Sequence, residues 1–142
     1  MPDDTKRSAL TFDGRSNYIE LPALNLDYSK GFTIEAWVRF DSFAPNWSRI
    51  FDFGNGQENN NILLARAGTG RTLCLCVLPR RGNYSFYSHD ILEQDVCFHL
   101  ALTMEPGGRT VVYKNGAPCF EVTLDALPPN LNRTHCYIGR SN

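Results

Sequence analysis

The sequence has no long apolar run. No stretch approaches the roughly 18 consecutive apolar residues that a membrane-spanning helix needs. It has no excess of one charge either. Fourteen Lys and Arg stand against fifteen Asp and Glu, a formal net charge of -1, which excludes the electrostatic footprint of a nucleic-acid or anionic-membrane binder. No Cys-x-x-Cys pair offers a zinc knuckle, and no Gly-x-Ser-x-Gly elbow offers a hydrolase nucleophile. No apolar stripe at i, i+3 and i+4 holds for three helical turns. Residues 1–8, Met-Pro-Asp-Asp-Thr-Lys-Arg-Ser, are polar and lead into no apolar segment of the signal-peptide kind. If Met1 is the native start, the chain is cytoplasmic; if an export signal has been removed, it is extracellular.

What remains is a chain of 142 residues, 42% hydrophobic, 20% charged and 12% aromatic, punctuated by eleven Gly and eight Pro. The length suits one domain with a sizeable core. The five cysteines, at positions 74, 76, 97, 119 and 136, are odd in number, so at least one is unpaired in a monomer. Cys74 and Cys76 sit two apart in a strand-like run and share one face. The spacing suits reduced core thiols better than a disulfide scaffold.

Alternation of apolar and polar residues recurs along the chain. It is clearest in Phe32–Phe40, where Phe32, Ile34, Ala36, Val38 and Phe40 share one face and Thr33, Glu35, Trp37 and Arg39 the other. Further strands are predicted at Ala9–Phe12, Tyr18–Leu21, Arg49–Phe53, Asn61–Ala67, Thr72–Leu78, Tyr84–Ser88, Cys97–Met104, Thr110–Lys114, Cys119–Thr123 and Tyr137–Ile138. Asn115-Gly116 between two such runs supplies the paired positive φ angles of a tight hairpin. Leu24–Tyr28 or Asp90–Gln94 has room for one helical turn. Short strands with regular turns read as an all-β, antiparallel two-sheet sandwich.

A family resemblance rests on seven segments in order. They are Ala9-Leu10-Thr11-Phe12-Asp13-Gly14, Tyr18-Ile19-Glu20-Leu21-Pro22, Phe32-Thr33-Ile34-Glu35-Ala36-Trp37-Val38, Ile50-Phe51-Asp52-Phe53-Gly54, His99-Leu100-Ala101-Leu102-Thr103, Tyr113-Lys114-Asn115-Gly116 and Ile138-Gly139-Arg140-Ser141-Asn142. Together they resemble a laminin-G-like domain of the concanavalin A-like jelly roll, the group that includes pentraxins. The resemblance implies two curved antiparallel sheets face to face over residues 9–142, preceded by the polar leader. It also implies a mostly non-catalytic recognition module for glycans or protein partners, some members binding calcium.

Three departures stand out. The family's Trp two residues before His99 is Cys97 here. The positions matching the pentraxin disulfide are Glu35 and Ala101. The family's last strand would lie beyond Asn142, so the expectation is an incomplete sandwich, completed by a downstream segment or a strand from another chain.

Candidate sites follow. An aromatic platform beside amide groups suits a sugar ring, and Trp37, Trp47, Tyr84, Tyr87 and Asn61 supply those groups. Calcium, the candidate cofactor, takes six to eight oxygens. Asn59 and Asn60 stand where pentraxins carry an Asp-Asn pair, with one charge fewer. A retaining glycosidase would need two carboxylates about 5–5.5 Å apart, yet Glu20, Glu35 and Asp52 are each alone in their strands. The Arg80-Arg81 tip reads as a solvated hairpin. The Asn-x-Ser/Thr matches at Asn46, Asn83 and Asn132 are close to chance frequency. The functional expectation is a glycan- or protein-binding module. The alternative is a structural domain of a larger protein, and a glycosidase ranks third.

Overall fold

The structure is a computed structural model that describes residues 8–44, 46–78 and 84–142. Most of the polar leader, the Arg80-Arg81 tip and Asn83 lie outside the described residues. In chain order the strands are β1 (Ile19–Leu21), β2 (Leu24–Asn25), β3 (Phe32–Val38), β4 (Arg49–Gly54), β5 (Asn61–Ala67) and β6 (Thr72–Leu78). They continue with β7 (Tyr84–Ser88), β8 (Phe98–Met104), β9 (Arg109–Lys114), β10 (Ala117–Thr123), β11 (Asn132–Arg133) and β12 (His135–Ile138).

A six-stranded sheet runs β1-β12-β4-β5-β6-β7, and a four-stranded sheet runs β10-β9-β8-β3. β11 and β2 form a separate short pair. The ladders are antiparallel. This is the antiparallel two-sheet sandwich that the alternation implied, in the jelly-roll form that the family resemblance implied. Glu35 and Ala101 are direct partners in the β3–β8 ladder, the juxtaposition on which a disulfide would need cysteines. The β9–β10 hairpin turns through Asn115 (φ 52°) and Gly116 (φ 80°), which carries Lys114 back against Ala117.

The sheets bury their facing side chains in one core. Phe51, Phe53, Ile62, Leu64, Leu75 and Val77 project from one side, and Phe98, Leu100, Leu102, Met104 and Val112 from the other. Each such side chain contributes about 1.5–3 kcal/mol by leaving water. The rings of Phe86 on β7 and Phe120 on β10 meet at 6.3 Å and close that side of the sandwich. Tyr28 and Leu92, on connecting segments, are fully buried and close its ends.

The structure differs from the sequence expectation at a few elements. Ala9–Phe12 forms no strand; Leu10 stays largely exposed. Leu24–Tyr28 is not a helical turn, because Leu24–Asn25 pairs with β11 and a 3-10 turn begins only at Tyr28, capped by Asp27. Asp90–Gln94 forms no helical turn either. Cys97 is exposed, so the loss of a tryptophan there leaves no core void. The five cysteines are all free.

β5 and the centre of β6 are buried on both faces, so they do not alternate. Behind the main core, Leu63, Ala65, Ala67, Cys74 and Cys76 form a second apolar cluster on the outer face of the six-stranded sheet. Their shortness lets the longer Arg49 and Tyr87 stand at the two ends of one cross-strand row, Arg49–Ala65–Cys74–Tyr87.

Candidate functional site

The outer face of the six-stranded sheet carries a buried carboxylate. Asp52 points away from the core between the inward Phe51 and Phe53, and is 1% exposed. A lone buried carboxylate would cost several kcal/mol, so it must be saturated. Asn61 Nδ2 and Asn142 Nδ2 donate to its Oδ1 at 2.8 and 2.9 Å. The Asn142 backbone N–H donates to Oδ2 at 3.1 Å, and Arg49 Nε lies 3.5 Å from the same oxygen. A Cβ at Gly54 would sit 2.5 Å from the Asn61 amide, so glycine there leaves room for that amide to reach Asp52.

Around this anchor lies a cleft of about 140 Å³. Its floor is apolar, Leu63 and Leu78, and its rim is polar, with Arg49, Gln57, Glu58 and Ser141. Arg49 is held in place: Nη1 donates to the Trp47 carbonyl at 3.0 Å, Nη2 donates to Ser141 Oγ at 3.2 Å, and the guanidinium lies 5.5 Å from the Trp47 ring centroid. Trp47 holds a left-handed backbone, φ 59°, a costly conformation for a bulky residue. The loop between β4 and β5 is left-handed at Gly56, Glu58 and Asn60. Arg133, fully buried, ties this loop down: its Nε donates to the Asn60 carbonyl at 2.9 Å, and its Nη groups donate to the Pro129 carbonyl. Its guanidinium also lies over the Tyr28 ring. Burial lowers the Arg133 pKa and raises that of Tyr28.

Of the candidate ligand residues, Asn61 lies inside the framework and Trp47 lies outside the cleft lining, against the rim residue Arg49. Asn61 is 2% exposed, with its amide NH₂ on Asp52 and its oxygen accepting from the Asn59 N–H at 2.7 Å. Tyr87 shares the outer face but stands three strands from Arg49, about 14 Å by strand spacing. Tyr84, three residues earlier on β7, is in register with inward-facing Val77 and so leaves the strand on the opposite face. Trp37 lies on the other sheet, 65% exposed beside His99.

Asn59 and Asn60 sit in the loop beside the cleft. Asn59 Nδ2 donates to the Asn55 carbonyl, and its Oδ1 accepts from Asn60 Nδ2. Among the described residues no three His, Cys, Asp or Glu converge. Both Asp52 oxygens face N–H donors rather than an open position. As arranged, this donor set does not fit a calcium ion, which needs its oxygens unencumbered.

Beside the cleft, Cys76 occupies the same row as Asp52 and Leu63. Its Sγ lies 3.1 Å from that of Cys74 and accepts from Ser85 Oγ at 3.4 Å. One thiol donates to the other, so the pair titrates apart: the contact with Cys76 and burial push Cys74 up, while hydrogen bonds from Cys74 and Ser85 bring Cys76 down.

Sequence reasoning did not assign Asp52, Arg49, Asn142 or Arg133 to the site. Asp52 carried a signal, an acid between two phenylalanines in an otherwise apolar strand. The other three are joined to it only by folding.

Comparison with known proteins follows this geometry. A family model described as the concanavalin A-like lectin/glucanases superfamily matches residues 13–142. No curated protein sequence matches the chain. Among solved structures, the chain is similar to the carbohydrate-binding module CBM40 of the Ruminococcus gnavus IT-sialidase, bound to alpha2,3 sialyllactose, with a TM-score of 0.64 at 12% identity over 84% of this chain and 78% of that one. It is similar to domains LG4-5 of the mouse laminin alpha1 chain, with a TM-score of 0.64 at 13% identity over 89% of this chain and 32% of that one. It is also similar to a chain of botulinum neurotoxin type C, whose cell entry depends on two ganglioside molecules, with a TM-score of 0.57 at 16% identity over 76% of this chain and 26% of that one. The chain therefore spans about a third of the laminin pair and a quarter of the toxin chain. At these identities the likeness establishes the fold.

Proposed function

The chain belongs to the concanavalin A-like lectin/glucanases superfamily, and from that premise we propose that it is a non-catalytic recognition module taking a glycan at the Asp52 cleft. The observation that carries this reading is the division of labour there. Asp52, Asn61 and Asn142 saturate one another and form a rigid polar anchor beside the apolar floor. Arg49, Gln57 and Glu58 mix donors and acceptors on the rim. Trp47 lies against Arg49 in a strained conformation that exposes part of its indole. Sugar hydroxyls need both donor and acceptor, and a sugar's C–H face needs an aromatic ring.

The same saturation argues against catalysis. A nucleophilic or general-base carboxylate needs an oxygen open to substrate, and those of Asp52 are occupied by N–H donors. The similarity to a sialyllactose-bound module and a ganglioside-dependent toxin supports the glycan class at the level of architecture.

A glycan array tests this. Binding to defined sugars is expected, falling at least about tenfold in Trp47→Ala while the melting temperature holds. Array silence from a folded protein would overturn the glycan reading in favour of an interaction domain. Turnover of a chromogenic glycoside, lost in Asp52→Asn, would overturn the non-catalytic one.

A further inference from the structure

The outer face of the four-stranded sheet is a different surface from the cleft, and the glycan reading does not use it. β3 is its edge strand and displays Thr33, Glu35 and Trp37, with Arg39 just past its end, all exposed. Trp37 leaves 65% of its surface in water and is braced by the His99 ring, centroids 5.3 Å apart. The Glu35 carboxylate lies on the same face two residues away, with Oε2 3.4 Å from His99 Nε2. Ala101, opposite Glu35 in the ladder, is short.

The arginines displayed here are already neutralised. Arg39 pairs with Asp41 at 2.7 Å and approaches Asp95 at 4.0 Å. Arg109 pairs with Glu105 at 2.7 Å and is held in a two-pronged bond by Glu121. Each cluster has two carboxylates and one guanidinium, so each carries net negative charge, and Glu35 adds another. The chain as a whole is close to neutral, so this acidity is local.

We propose that this face docks a protein partner through a basic side chain, arginine in particular, laid over Trp37 and paired with Glu35. Charge complementarity selects the occupant. A guanidinium stacks on an indole through cation–π attraction and gains a two-pronged bond to a carboxylate. The acidic clusters on either side steer it in and repel acidic partners. A tryptophan ringed by polar groups is the usual composition of an interface hot spot. A neutral sugar would use the indole but gain nothing from the surrounding acidity.

The test uses the chain with Trp47→Phe, in which Trp37 is the one remaining tryptophan and reports its own surroundings. The probe is a blocked Gly-Arg-Gly-Arg-Gly peptide, with Gly-Glu-Gly-Glu-Gly and methyl hexopyranosides as comparisons. Calorimetry on the unaltered chain gives the same constant independently of that reporter. The expected result is a saturable change in Trp37 emission with the arginine peptide only, weakened severalfold by high salt. Affinity falls about tenfold in Trp37→Ala and about threefold in Glu35→Gln. No saturable change would overturn the proposal. So would binding that survives both substitutions, or emission that responds to the hexosides and not to the peptide. Loss of glycan binding at the cleft moves none of these readouts.

Discussion

The two outer faces of the sandwich are made from strands of similar length and the same antiparallel pairing, yet they treat water in opposite ways. On the six-stranded side, β5 is buried at every residue, and the charged Asp52 and Arg49 are locked together with Asn61 and Asn142. On the four-stranded side, β3 exposes its outward residues, and Trp37 stands nearly free. The difference comes from side-chain length. Short Ala and Cys residues form a low floor that neighbouring long side chains close over, whereas Trp37, Glu35 and Arg39 rise above their neighbours. One face preorganises polar groups inside the protein; the other presents them to whatever approaches.

The comparison can be broken most forcefully at Asp52. Asp52→Ala strands two amides and one guanidinium without their shared acceptor, and a loss of about 3–5 kcal/mol is expected, measured by urea unfolding. A loss under about 1 kcal/mol would mean that the polar shell of Asp52 is not a framework. Arg133→Met comes next. It removes the buried donor to the Asn60 and Pro129 carbonyls and loosens the loop beside the cleft, at about 2–3 kcal/mol by the same measurement.

Acid probes the connecting loops. Asp13 is held well below the usual carboxylate range by the N–H groups of Asn17, Arg15 and Ser16 and by the Ser16 hydroxyl. Asp27 is lowered chiefly by the Ser29 hydroxyl, and Glu93 by Lys114. A pKa lower in the folded than in the unfolded state adds stability above the unfolded value and loses it as pH falls through the folded one. The melting temperature should therefore stay level from neutral pH down to about 5 and decline below about 4, with a shallower decline in Asp13→Asn.

Two smaller effects sharpen the contrast. Added calcium should leave the melting temperature unchanged, because the oxygens of Asp52 are engaged; a rise of several degrees would show that the loop rearranges to bind it. Trp37→Ala should change stability by less than about 0.5 kcal/mol; a larger loss would make Trp37 part of the framework instead of a displayed side chain.

Much of the architecture was legible in the chain. The alternation in Phe32–Val38, the apolar runs of β5 and β6, and Asn115-Gly116 encode strand and turn locally, since period and turn conformation depend on adjacent residues. Ala9–Phe12 carried the same alternation and formed no strand, because a strand exists only where a partner ladder meets it. The β2–β11 pair went unread for the converse reason: two residues carry no period, and their partners lie more than a hundred positions apart.

For the candidate cleft, local pattern singled out Asn61 and, against its rim, Trp47, and none of the other groups that saturate Asp52. It marked residue types suited to a glycan but grouped Trp37, Tyr84 and Tyr87 with them, though these leave the sandwich in different directions. The sequence by itself determined most of the longer strands, the β9–β10 hairpin and the family to which they belong, because these follow from neighbours along the chain. Only the tertiary structure decided that Asn142 completes the shell of Asp52, that Arg133 anchors the Asn60 loop, and that Trp37 and Trp47 serve opposite faces. Those relations depend on which strand lies beside which, and so on distances across the sheet rather than along the chain.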